Sequence, residues 1–185
     1  MKKTIAKHIE KKHVVKIFLV DDLGDGITNF TGLILEQNDE FILVSDTNDF
    51  IINGLTIYRK KDITEILYSD NQKYMEKIML KEGRIDEAIS RRLQYDFELG
   101  SLKELLDFVF RNDLAFTAEC KYGSRDDFYL GTLESVKNKK FKMNYINADG
   151  RYDFKTVTVE FEDVTMLTFD NEYANLIRKY AFKQV

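Results

Sequence analysis

Residues 30–45 read as strand, tight turn, strand, and a similar stretch returns about a hundred residues later, at residues 129–145. Phe30, Gly32 and Ile34 fall on Tyr129, Gly131 and Leu133, and Phe41 and Leu43 fall on Phe141 and Met143. Further on, Asp62, Ile66 and Tyr68 match Asp163, Leu167 and Phe169, and in the helices that follow Tyr74 and Ile78 match Tyr173 and Ile177. A shared pattern of this length predicts one β-rich unit used twice, by an internal duplication. A chain of 185 residues has room for two such units.

The first unit is expected to open with an amphipathic helix that turns Ile5, Ala6 and Ile9 inward and its lysines to water. Strands follow at residues 14–20, 30–36, 41–45, 51–59 and 63–68, separated by turn residues such as those of the Asp21 to Gly26 loop. Asn53 and Gly54 signal a bulge or a second turn. The second unit repeats the order at residues 114–121, 129–136, 141–146, 152–161 and 164–169. Five strands without helical crossovers predict an antiparallel barrel or a strongly bent sheet.

Between the units, Ile85, Ala88, Ile89 and Leu93 share one helical face. Ser101 and Glu104 form a capping box that opens a second helix with the stripe Leu102, Leu105, Leu106 and Val109. The chain is thus expected to divide into residues 1–82, a helical linker at 83–113, and residues 114–185. Continuous apolar runs at Leu33 to Leu35 and Phe41 to Val44 predict that both faces of the first sheet are covered, by the linker helices, the second unit or another copy. Arg91 and Arg92 are expected on the wet face of the linker helix.

The net charge of −4 is spread evenly, without the basic field of a DNA-binding protein. Proline is absent, and Cys120 is the only cysteine, which predicts a reducing, cytoplasmic setting and a buried apolar thiol. The basic start lacks the apolar stretch of a signal peptide, and no run is long enough to span a bilayer. His8 and His13 lack partners at metal-ligand spacing, so no metal or other cofactor is expected. The acidic groups Asp21, Asp22, Asp25 and Asp126, Asp127 read as solvated loops. The Arg59 to Lys61 and Lys137 to Lys140 stretches could touch phosphate, with Tyr58 and Phe141 to stack, but more simply keep strand edges soluble. No catalytic constellation is visible.

The segments Gly32-Leu-Ile-Leu-Glu36, Phe41-Ile-Leu-Val44 and Leu55 to Ile66 resemble the two motifs of Sm-like proteins, a fold pattern shared with SH3-like barrels. The resemblance implies two tandem five-stranded barrels, each with a trailing helix, within a mainly β, α+β chain. It places Tyr58, Arg59 and Lys60 where RNA chaperones of that family contact RNA. The function expected first is a non-enzymatic binding or scaffolding module that meets a protein partner or another copy of itself. RNA binding through Tyr58, Arg59 and Lys60 is the second reading.

Overall fold

Four of the six residues of strand β1 (Val14–Leu19) are β-branched or aromatic, and its neighbours on both sides are strands of the same unit. The computed structural model describes residues 2–20, 28–122, 125–153 and 155–183. The Asp21 to Gly26 loop therefore lies outside the described residues. Contacts divide the chain into a unit of residues 1–99 and a unit of residues 100–185.

In the first unit, helix α1 (Lys2–Glu10) precedes β1, then β2 (Asn29–Gln37), β3 (Phe41–Asn48), β4 (Ile51–Arg59) and β5 (Ile63–Leu67), followed by α2 (Asp70–Lys81) and α3 (Arg84–Leu93). The ladder runs β4-β3-β2-β1-β5 and is antiparallel. Register shifts at Phe18/Leu19, Ile34/Glu36 and Ser45/Thr47 bend it. Gly54, with φ of +102°, lies inside β4, so the strand runs through Asn53 and Gly54 without a second turn. Six successive residues of β3, Phe41 to Asp46, are buried, so both faces are covered there. Helices provide cover on one face: Met79 of α2 and Ile85 and Ala88 of α3 pack on Val14, Leu33 and Ile52.

In the second unit, α4 (Leu102–Arg111) is followed by β6 (Phe116–Tyr122), β7 (Arg125–Val136), β8 (Lys140–Tyr145), β9 (Arg151–Tyr152), β10 (Val157–Glu160), β11 (Val164–Phe169), α5 (Glu172–Tyr180) and β12 (Phe182–Lys183). Its ladder order, β10-β8-β7-β6-β11, has the same form as that of the first unit. The capping box forms as the spacing predicts: the Ser101 hydroxyl accepts from the Glu104 amide and the Glu104 carboxylate accepts from the Ser101 amide at 2.7 Å. The stripe Leu102, Leu105, Leu106 and Val109 is buried.

The expectation of two closed barrels is overturned. Within each unit the five long strands form an open antiparallel ladder, which ends in β4 and β5 in the first unit and in β10 and β11 in the second. Local alternation specifies that strands pair side by side, whereas closure depends on which strand the last one meets, a long-range choice that the pattern does not encode. The five-stranded Sm-like barrel is therefore not the architecture of either unit.

Two smaller expectations also change. The strand expected over residues 152–161 is broken, because Arg151 and Tyr152 pair in parallel with β12 while only Val157–Glu160 pairs with β8. The Asn147 side chain accepts from the amides of Asp149 and Arg151 at 3.1 and 3.0 Å and turns the chain there. Asp126 and Asp127 are not loop residues: β7 extends through them, opposite Lys121 and Cys120. Among the described residues no helix is long and apolar enough to cross a membrane.

Candidate functional site

The residues that sequence reasoning set against RNA lie at the end of β4 and turn inward. Tyr58 is fully buried, and its hydroxyl donates to the Asp46 carboxylate at 2.8 Å. Arg59 is buried over the Phe41 ring with its Nε 3.6 Å from Glu40. Lys60 opens the short 3-10 turn before β5, and its ammonium donates to Gln37 at 2.7 Å and to the Asn38 carbonyl. Burial, chiefly, holds its pKa below the ordinary 10.5. The three side chains are neighbours in sequence, but their polar ends meet different residues: Asp46 for Tyr58, Glu40 for Arg59, and Gln37 and Asn38 for Lys60. Phe141, the stacking residue suggested for the second basic stretch, is fully buried, and Lys140 lies 3.6 Å from Glu160.

A groove of about 260 Å³ opens elsewhere on the first unit, between the end of α1, β2 and α3. Ile9 and Lys12 form one wall, residues 33–36 of β2 form the floor, and Ile89, Arg92 and Leu93 form the other wall. The lining is apolar because β2 carries three successive aliphatics there and α3 repeats Ile85, Ala88, Ile89 at helical spacing. Leu93 continues that stripe in sequence, yet it is 77% exposed. As the last residue of α3 and a lining residue, it stands at the lip of the groove.

Arg92 is not a solvated residue of the wet face, as its place in the sequence suggests. Its Nε donates to Glu36 at 2.6 Å, its two terminal nitrogens donate to the carbonyls of Tyr95 and Phe97, and its guanidinium lies 4.0 Å from the Phe97 ring centre. The clamp ties α3 to β2 and fixes the distance between two sides of the groove. The segment that supplies the opposite wall is basic, with Lys2, Lys3, Lys7, Lys11 and Lys12 against one acidic residue, Glu10, in the first twelve positions. Lys2 pairs with Asp39 at 2.6 Å, and Lys12 lines the groove itself.

Beside this wall lies a cluster that spacing alone did not reveal. His8, buried on α1, and His13, just before β1, bring their Nδ1 atoms to 3.0 Å. His13 stacks on Tyr68 with ring centres 3.9 Å apart and planes 10° apart. The Tyr68 hydroxyl donates to Glu76 Oε1 at 3.1 Å, and Glu76 Oε2 accepts from the Val14 amide at 3.1 Å. Burial is the first cause that lowers the pKa of both histidines. Their five-residue separation falls outside the usual helical ligand spacings. They meet because the chain turns at Lys12, at φ of +53°, so that the His13 amide donates back to the His8 carbonyl.

Among the described residues no three His, Cys, Asp or Glu side chains gather as metal ligands. Cys120 is buried in β6, as a small apolar side chain would be. No protein-family model matches this chain, and no curated protein sequence matches it.

Proposed function

We propose that this chain is a non-enzymatic protein-binding module whose first unit holds an acidic, amphipathic segment of a partner protein in the α1–β2–α3 groove. The observation that carries the reading is the groove itself: an apolar floor, an exposed leucine at its lip and a lysine-rich helix as one wall. Exposed apolar surface rimmed by charge is the usual character of a partner site. A helical segment that lays leucines at i, i+3 and i+4 would fill the groove while its acidic residues meet Lys12 and its neighbours. The single buried thiol fits a reducing, cytoplasmic setting for such a module. The RNA reading asks three buried side chains, Tyr58, Arg59 and Lys60, to turn outward, and so it ranks below.

The test uses fluorescently labelled amphipathic peptides of roughly twelve residues, acidic on one face, with anisotropy as the readout. Saturable binding is expected, weakened at least about tenfold by Leu93→Glu and a few-fold by Lys12→Glu or added salt. No saturable binding, or full binding by Leu93→Glu, overturns the proposal. Size-exclusion chromatography with light scattering, with and without nuclease, reads the other occupants. A dimer that Leu93→Glu dissociates would give the groove to a second copy. Bound RNA lost on Arg59→Ala with Lys60→Ala would replace the protein reading with the RNA one.

A further inference from the structure

The two groove residues that come from the α1 side, Ile9 and Lys12, are sequence neighbours of His8 and His13. We propose, resting on the groove as the binding site, that the His8–His13 pair is a proton-operated latch for it. With a single proton between the facing nitrogens the pair holds the end of α1 in place as a wall; with both imidazoles charged, that wall is released.

The geometry requires it. Two Nδ1 atoms 3.0 Å apart form a hydrogen bond only when one carries a proton and the other does not. From the neutral pair, a first added proton can sit on the donor ring's Nε2 and leave the bond intact; the next, on the acceptor's Nδ1, turns it into a donor and sets two cations face to face, beside a largely buried His8. The groups around them offer little relief. Lys7 on α1 and Lys11 after it are cations that oppose charge on the pair, and Lys73 of α2 lies 6.0 Å from the Tyr68 ring centre. Glu76 of α2 is the anion that favours the charged form, but one of its oxygens accepts from Tyr68 and the other from Val14. Neutral Tyr68 supplies a ring face to His13 and no acceptor for a second imidazolium.

Burial is the first cause that holds both histidines below the ordinary 6.5; at His8 the facing His13 and then Lys7 add to it against Glu76, while at His13 Glu76 opposes it ahead of the smaller contributions of Lys11 and Lys7. The pair thus keeps its bond at neutral pH and through the uptake of one proton, and is driven apart when, at lower pH, both rings carry charge. Release at His8 and His13 frees the turn between them, where Ile9 and Lys12 sit. The floor of β2 and the α3 wall, fixed by Arg92, stay in place.

Amide hydrogen exchange followed by NMR, between about pH 7.5 and 5.5 and corrected for intrinsic rates, tests the latch directly. Protection of the Ile9 and neighbouring α1 amides should fall by up to roughly tenfold per pH unit across the window, while β3 amides hold theirs. In His13→Asn, whose side chain is only partly buried and cannot titrate, the step should vanish. Flat α1 protection in the wild type, or a step that survives in His13→Asn, overturns the latch. Peptide affinity measured in the same buffers should fall with α1 protection. Peptides that bind at no pH would overturn the groove as the site, while the exchange data would still decide whether the latch exists. Affinity that stays constant while protection falls would overturn the coupling of the two.

Discussion

Arg92 and Glu36 join α3 to β2 through a bond of 2.6 Å between a guanidinium and a carboxylate that are both largely shielded from water. The remaining guanidinium donors go to the carbonyls of Tyr95 and Phe97, so one side chain satisfies three acceptors. Its removal leaves those acceptors dependent on water that must enter a partly closed site. Arg92→Ala should lower the stability of the first unit by about 2 kcal/mol, read by urea unfolding. Arg92→Lys should recover less than half of the loss, because an ammonium cannot serve the same fork. A loss below about 0.5 kcal/mol for Arg92→Ala would show that the clamp contributes little.

Gly32 and Gly131 occupy matching places, each facing the backbone of the next strand. A Cβ built on Gly32 would lie 2.5 Å from the Ser45 carbonyl oxygen, and one on Gly131 would lie 2.1 Å from that of Asn144. Neither contact can be relieved by turning a side chain, since the obstacle is backbone. Gly32→Ala and Gly131→Ala should each cost about 2 kcal/mol or more, by thermal or urea unfolding. Gly83→Ala is the contrast: nothing lies within 4 Å of its Cβ, and the cost of about 1 kcal/mol would come from its φ of +69° alone. Equal losses at all three positions would contradict the steric account.

Tyr58 contributes a buried hydroxyl to the Asp46 carboxylate, which is itself buried. Tyr58→Phe keeps the ring and its contact with Phe30 but removes a donor to a charged acceptor. A loss of about 1.5–3 kcal/mol is expected, with no change in the size or nucleic-acid content of the purified protein. A stable Tyr58→Phe variant that has lost bound RNA would instead mark Tyr58 as a contact residue.

Leu93 should behave in the opposite way to these interior residues. With most of its surface already in water, Leu93→Ser should leave stability within about 0.5 kcal/mol of the wild type while peptide binding falls. Ile85, a little over two turns back along the same helical face, is 1% exposed, and Ile85→Ala should cost about 2–4 kcal/mol. Comparable losses at the two positions would mean that Leu93 is a core residue in solution.

The contrast between Ile85 and Leu93 also marks what the sequence could convey. Periodicity places both on one face of α3, and the capping box at Ser101 and Glu104 fixes where α4 begins, because both are local patterns with local causes. The matched glycines were likewise legible as a repeat, whereas the bulges beside them, at Ile34/Glu36 and Leu133/Ser135, show only in the strand register. How far the sheet reaches along α3, and therefore where the stripe leaves cover, depends on long-range packing. The same holds for the open sheet in place of barrels, for Arg92 turned inward from an apparently wet face, and for two histidines brought together by a turn at Lys12. Tyr58, Arg59 and Lys60 were adjacent in sequence and basic enough to suggest a surface site. Their burial follows from tertiary partners, Asp46, Glu40 and Gln37, that adjacency does not reveal.

The histidine pair gives the first unit a pH dependence of fixed sign. In the unfolded chain each imidazole titrates near its ordinary 6.5, while in the folded unit both take up protons only at lower pH. Below 6.5 the unfolded state therefore binds more protons, so the pair's contribution to stability is full above that value and is lost as the pH falls through the folded pKa values. The urea midpoint of the wild type should be level above about pH 7 and decline on acidification toward pH 5, before most carboxylates titrate. His8→Asn with His13→Asn should flatten that decline, whatever it does to the midpoint at neutral pH. A midpoint that rises as the pH drops from 6.5, or a decline of equal slope in the double variant, would reverse the assignment of the pair.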